Sequence, residues 1–153
     1  MTENNNRDLW PGWKTVRVLG SGNFGAVYEI ERDLLGTTEK AALKLISIPR
    51  DVRDLDELYS LGYDEKSITA HFRNCLSDIV REYTMMAEMK GHTNLVYCDD
   101  IRYIQRSDSF GWEIFIKMEL LTPLMQALDP ETDAQQALRL GRDISRALVL
   151  CRS

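Results

Sequence analysis

The stretch that decides the fold is a glycine-rich segment near the N-terminus, which reads Gly20-Ser21-Gly22-Asn23-Phe24-Gly25-Ala26-Val27. It follows an alternating run from Lys14 to Leu19 that is typical of a β-strand, and Val27 to Glu31 resumes that character. The segment therefore predicts a β-hairpin with a glycine-rich turn. Glycines suit a phosphate site because they lack a Cβ, so backbone N–H groups can approach phosphate oxygens closely.

The glycine spacing alone leaves other interpretations open. Dinucleotide-binding folds use the same G-x-G-x-x-G pattern, and an ordinary glycine-rich turn also fits it. In the dinucleotide folds the last glycine begins a helix, whereas Gly25 precedes strand-like residues. Glu39 lies near the offset expected for a ribose-binding acid, but a strand rather than a helix separates it from the glycines. The pattern favours a hairpin that covers a ligand.

A lysine inside an apolar strand is the second signal. Lys44 occupies such a run, where the alternative is an edge-strand lysine whose ammonium reaches solvent. A helix predicted over Glu65–Lys90, with Asp64 as its N-cap, carries Glu82, whose carboxylate would hold the ammonium. Glu88 is the alternative on this helix, but it lies about 600° further round and on another face. We therefore predict an ion pair between Lys44 and Glu82.

The rest of the chain predicts one α+β domain. Strands are expected over Lys40–Ile48, Leu95–Ile104 and Trp112–Leu120, and an amphipathic helix over Glu131–Leu150. Two tryptophans in the segment 10–13 predict a lid on the core. The last helix has an apolar face, formed by Leu138, Leu140, Ile144, Leu148 and Cys151.

Composition excludes several classes of protein. The chain has 153 residues, of which 44% are hydrophobic, enough for one domain with a core. Its net charge of -5 argues against general nucleic-acid binding. Three widely spaced cysteines, without metal-ligand spacing, indicate reduced thiols in a cytoplasmic protein. We expect neither a signal peptide nor a membrane-spanning segment, since no apolar stretch approaches about 20 residues.

The order of these motifs resembles eukaryotic-like (Hanks-type) serine/threonine protein kinases, and the bacterial branch most of all. The resemblance runs from Trp13 to about Cys151, and so covers about the first half of the family's domain. It implies a flexible segment at 1–9, an N-terminal lobe at 10–121, and the hinge exit with the first large-lobe helix at 122–153. The implied fold is an α+β lobe, with a five-stranded antiparallel sheet and one long helix.

The resemblance also implies an ATP site. Lys44 would orient the phosphates and Glu82 would hold Lys44. Met118 would be the gatekeeper behind the adenine, and Glu119 and Leu121 would bind the adenine edge through a carbonyl and an N–H. Val27 and Ala42 would sandwich the adenine. Gly20, Gly22 and Gly25 would form the phosphate roof, Phe24 would shield the phosphates from water, and Ser21 and Asn23 would complete this cofactor-binding loop. In the spine between the lobes, the upper members would be Met86 and Cys98.

The chain also departs from the family. Lys44 and Glu82 lie 38 positions apart, which implies a charged insert at about 50–69. Residues 50–62 are predicted to be irregular, and a helical extension before the long helix is the alternative. His-Arg-Asp and Asp-Phe-Gly motifs are absent, and with them the catalytic base and the Mg²⁺ ligands. We therefore expect these 153 residues to be inactive alone, as part of a longer kinase that binds Mg²⁺ and a protein substrate.

Two alternatives remain from the sequence. A stand-alone, pseudokinase-like module would bind a partner or self-associate through the apolar face of residues 138–151. A dinucleotide-dependent oxidoreductase is disfavoured, because the βαβ pattern is missing.

Overall fold

The structure is a computed structural model that describes residues 10–22, 25–92, 94–106, 111–127 and 134–151. Its strands are β1 (Lys14–Gly22), β2 (Gly25–Leu34), β3 (Thr37–Ile48), β4 (Cys98–Gln105) and β5 (Trp112–Met118). Its helices are α1 (Val52–Ser60), α2 (Glu65–Glu88), the single turn α3 (Leu124–Ala127) and α4 (Ala134–Leu150). The tip of the predicted glycine-rich turn, residues 23–24, lies outside the described residues.

The five strands form one antiparallel sheet in the order β1-β2-β3-β5-β4. This confirms the predicted α+β class and the five-stranded antiparallel sheet. β3 lies at the centre, between β2 and β5, and its residues alternate between the two faces of the sheet. Leu43 and Leu45 therefore belong to one apolar cluster, and Ile46 and Ile48 to another. We call these two surfaces the outer and the inner face, respectively.

The predicted tryptophan lid closes the outer face. Trp10 and Trp13 are 4% and 6% exposed, and they pack on a cluster that includes Leu43 and Phe115. Trp10 also donates its indole N–H to Asp100 on β4, at 2.7 Å. The N-terminal segment thus reaches across the sheet to its far edge.

Cations hold the second tryptophan in place. The Arg32 guanidinium and the Lys117 ammonium each lie 4.9 Å from the centroid of the Trp13 ring. Lys117 is almost buried, and its ammonium pairs with Asp99 at 2.8 Å. Cations over an indole ring are attracted by its quadrupole, and the attraction grows with desolvation. The outer face is therefore closed by packing and by charge together.

The inner face packs against α2. This helix buries Ile68, Phe72, Leu76 and Tyr83 against the sheet, with Ile79 and Met86 partly buried beside them. Asp64 begins the helix as predicted, since its carboxylate accepts a hydrogen bond from the backbone N–H of Ser67 at 2.8 Å. The helix covers only part of the inner face, and β1 is exposed along its whole length.

The predicted insert contains a second helix. Residues 52–60 form α1, and Asp51 caps it by accepting from the Arg53 N–H at 2.8 Å. The prediction that residues 50–62 are irregular is therefore wrong, and helical structure does precede the long helix. Leu55 and Leu58 pack against the inner cluster, so α1 joins the core by one narrow side.

The last helix, α4, begins at Ala134 and carries no buried residue. Leu138 and Leu148 on its predicted apolar face are 75% and 61% exposed. None of the helices in the described residues combines the length and the apolar character that crossing a membrane requires.

Candidate functional site

The glycines at the end of the β1–β2 hairpin differ in what they face. Gly25 has φ +106°, and a Cβ there would lie 1.9 Å from the carbonyl oxygen of Leu45. Gly25 is thus required by the packing of the hairpin on β3. A Cβ at Gly20 or Gly22 would meet no atom within 4 Å. Within the described residues, packing does not require a glycine at either position, and the space beside each is free.

The register of the sheet brings four predicted residues together on the inner face. Lys44 on β3 lies opposite Val27 on β2, and Ala42 lies opposite Met118 on β5. Directly opposite residues in an antiparallel pair share one face, and alternate residues of a strand do so too. Val27, Ala42, Lys44 and Met118 therefore line the inner face next to the glycine hairpin.

Ser21 and Gly22 lie at the hairpin end, where they pair with Ala26 and Gly25. Asn23 and Phe24, which we predicted at the tip of the phosphate roof, lie outside the described residues. The backbone that surrounds the candidate phosphate position thus comes from both strands of the hairpin.

Lys44 does not meet its predicted partner. Its ammonium donates a hydrogen bond to the Tyr83 hydroxyl at 3.1 Å, while Glu82 is exposed and makes no ion pair with it. The apolar stripe of α2 is centred on Phe72, Leu76 and Tyr83, and neighbouring residues of a helix are about 100° apart. Glu82 consequently points away from Lys44. Any functional role of Glu82 stays a prediction.

The end of β5 leads into an extended segment. Met118 is the last residue of the strand, Glu119 is half-buried, and Leu121 is exposed. The Glu119 carboxylate accepts a long hydrogen bond, 3.4 Å, from the Tyr97 N–H before β4. This contact ties the segment after β5 to the start of the neighbouring strand. It leaves the predicted use of the Glu119 carbonyl and the Leu121 N–H untested.

Two titratable groups on the inner face, Cys98 and Glu29, have pKa values shifted by their surroundings. Burial raises the pKa of the Cys98 thiol to about 11, and the nearby Lys44 ammonium offsets part of that rise. Cys98 is therefore a protonated, apolar neighbour at neutral pH. Glu29, opposite Ala42, is 3% exposed and accepts from Lys40 and Arg17 at 2.9 and 2.7 Å. The two cations lower the pKa of Glu29 through these hydrogen bonds.

Sequence reasoning missed two residues of this site. Tyr83 lies in the helix predicted over Glu65–Lys90 but was not considered for the site, although a buried tyrosine needs a partner for its hydroxyl. Glu29 was taken as a strand residue, although the two strands predicted beside its own carry Arg17 and Lys40. The signal in each case was a polar group at a position that the strand or helix pattern would bury.

No protein-family model matches this chain, and no curated protein matches it either.

No group of three or more His, Cys, Asp or Glu side chains that could hold a metal ion occurs within the described ranges. The three cysteines are free thiols, of which Cys98 is buried and Cys151 exposed. The chemistry that this site can offer is therefore that of an ammonium held by a phenol, a glycine hairpin with free space at its Gly20 and Gly22 Cβ positions, and an apolar surface beside them.

Proposed function

We propose that this chain is the ATP-binding part of a serine/threonine protein kinase of the Hanks type. The observation that carries the proposal is the register that sets Val27, Ala42, Lys44 and Met118 side by side beneath the hairpin. An ammonium next to a glycine-rich hairpin suits phosphates, and an adjacent apolar surface suits a purine. The open Cβ positions of Gly20 and Gly22 support the fit.

Each residue has a separate task in this proposal. The hairpin backbone would hold phosphate oxygens by N–H donation, and Lys44 would contribute the positive charge. Val27 and Ala42 would contact the adenine, with Met118 behind it. In the intact domain, the γ-phosphoryl group would pass from ATP to a serine or threonine hydroxyl of a protein substrate. On this proposal the chain would supply binding and orientation only, since its sequence carries neither a His-Arg-Asp nor an Asp-Phe-Gly motif.

Calorimetric titration of the 153-residue chain with ATP, with and without Mg²⁺, tests the proposal. We expect weak binding that changes little with Mg²⁺, because the family's metal ligands have no counterpart in the chain. Titration with NADH under the same conditions is the control for the dinucleotide alternative. No detectable ATP binding, or tighter binding of NADH, would contradict the proposal. ATP binding that depends strongly on Mg²⁺ would contradict the inference that the chain lacks the family's Mg²⁺ ligands.

The exposed face of α4 supports a second candidate function, a binding or self-association module. Leu138 and Leu148 expose most of their surface, as does Val149 on a neighbouring face of the helix. Ile144, one turn before Leu148, is 48% exposed, and neighbouring exposed apolar side chains on one helix are typical of an interaction site. Sedimentation equilibrium tests this function. We expect concentration-dependent dimers that Leu148→Asp abolishes, whereas a monomer at all concentrations would exclude self-association.

A further inference from the structure

The ammonium of Lys44 is held by a phenol. Lys44 Nζ lies 3.1 Å from the Tyr83 hydroxyl and 5.8 Å from the centroid of the Tyr83 ring. The second distance is at the limit of a cation–π contact, so the hydrogen bond accounts for most of the attraction. This bond links β3, at the centre of the sheet, to the helix that covers the inner face.

Tyr83 is itself held rigidly. Its side chain is 8% exposed and belongs to the inner cluster, together with Leu76, Cys98 and Ile116. A ring packed on all sides has few rotamers to choose from, so its hydroxyl keeps one position. Within the part of the chain that the structure describes, Lys44 is the one hydrogen-bond partner of this hydroxyl. The phenol is therefore a fixed acceptor for a flexible lysine.

We propose that Tyr83, rather than Glu82, is the residue that positions the Lys44 ammonium beneath the glycine hairpin. A phenol is neutral at ordinary pH, so it orients the ammonium without neutralising its charge. A lysine ammonium has three donors, which lets Lys44 keep the bond to Tyr83 while it donates to an anionic ligand. The identity of that ligand as the phosphates of ATP rests on the proposed function; the positioning of Lys44 does not.

Two matched variants on neighbouring residues test this role. Tyr83→Phe removes the hydroxyl and retains the ring, and Glu82→Gln removes the carboxylate charge and retains the shape. The first measurement needs no nucleotide. It is the rate at which an amine-reactive acetylating reagent modifies Lys44, followed by peptide mass spectrometry with Lys66 as the internal reference.

We expect Tyr83→Phe to speed the modification of Lys44 about twofold to fivefold, because a hydrogen bond of ordinary strength no longer holds the amine. Glu82→Gln should leave the rate unchanged. An unchanged rate in Tyr83→Phe, or a faster rate only in Glu82→Gln, would overturn the proposal.

The second measurement is a double-mutant cycle on unfolding in urea, with Lys44→Met combined with each variant. We expect the effects of Lys44→Met and Tyr83→Phe to be non-additive, by about fivefold in the unfolding constant. Those of Lys44→Met and Glu82→Gln should be additive. Additivity in the first cycle would overturn the proposal even if the variants are less stable than the parent chain.

The third measurement is ATP affinity by calorimetry. Loss of the positioning bond should weaken binding about threefold to tenfold in Tyr83→Phe, and leave it unchanged in Glu82→Gln. If the parent chain does not bind ATP while the first two measurements agree with expectation, the proposed function fails and the positioning role of Tyr83 stands. If the parent chain binds ATP and Tyr83→Phe binds it equally well, the positioning role fails.

Discussion

The two faces of the sheet are built from the same strands but are closed to different degrees. The outer face is sealed by Trp10 and Trp13, with cations over the second indole ring. The inner face is covered by α2 over part of its area, and next to the hairpin it carries a half-buried lysine. Alternate residues of β3 thus serve stability on one side and candidate binding on the other. Substitutions at neighbouring positions should separate the two roles.

The largest effect is expected at the glycine where the hairpin touches β3. Gly25→Ala places a Cβ 1.9 Å from the Leu45 carbonyl oxygen, at φ +106°. Overpacking and backbone strain together should destabilise the chain by about 2–6 kcal/mol in urea unfolding.

Gly22→Ala is the matched control, because its Cβ meets no atom within 4 Å. We expect its stability to change by no more than about 0.5 kcal/mol. ATP binding should nevertheless weaken, since the new methyl group enters the space proposed for phosphates. Equal destabilisation by the two substitutions would contradict the distinction between a packing glycine and a ligand-facing glycine.

The next largest effects are expected at two adjacent residues of β3, Leu43 on the outer face and Lys44 on the inner face. Leu43 is 2% exposed on the outer face, so Leu43→Ala should lower the free energy of unfolding by about 2–5 kcal/mol. The Leu43→Ala variant should still bind ATP under conditions in which it is folded. Urea unfolding monitored by tryptophan fluorescence measures the loss. A change below 1 kcal/mol would mean that the outer cluster relaxes into the space.

Lys44→Met should show the opposite pattern, with a small effect on stability and a large effect on ATP affinity. The methionine retains an unbranched chain that suits the inner cluster, so the loss of stability should be small, roughly that of one hydrogen bond at about 1 kcal/mol. The affinity for ATP should fall at least about tenfold, because a charge-assisted contact to phosphate is lost. Isothermal titration measures it. Unchanged affinity would show that Lys44 does not contact ATP and would exclude the hairpin end of the inner face as the ATP site.

Much of the fold follows from local patterns in the sequence. The alternation around the glycines predicted β1 and β2, and Asp64 marked the beginning of α2 to the residue. Such signals are local, because they depend on strand alternation and on the hydrogen bonds of one helical turn. Helix α1 was harder to predict. It is short and highly charged, although Asp51 was an available N-cap signal.

The partner of Lys44 could not be derived in the same way. Glu82 and Tyr83 are adjacent, so they differ by about 100° around α2, and the apolar stripe is wide enough to include either. The choice depends on how the helix is rotated against the sheet. That rotation is set by the burial of Phe72, Leu76 and Tyr83 together, which are tertiary contacts that no single window of sequence contains.

The smallest effect that we expect is a difference in acid sensitivity between the faces. Cations lower the pKa of one carboxylate on each side: Lys40 and Arg17 act on Glu29, and Lys117 and Lys90 act on Asp99. A carboxylate with a lowered pKa stabilises the fold above the pKa of its unfolded state and loses that contribution as the pH falls through its folded value. For Glu29 the loss therefore begins below about pH 4.5, the ordinary value, and for Asp99 below 3.8.

Urea unfolding between pH 7 and pH 3 measures this difference. Glu29→Gln should be less stable than the parent chain at pH 7, and the two should converge as the pH falls. Asp99→Asn should show a smaller difference at pH 7, because the Asp99 side chain is 42% exposed and that of Glu29 only 5%. The inner face would then be the more acid-sensitive of the two, through a buried carboxylate directly opposite Ala42. A larger effect in Asp99→Asn would instead locate that sensitivity on the outer face, where Lys117 holds the tryptophan lid.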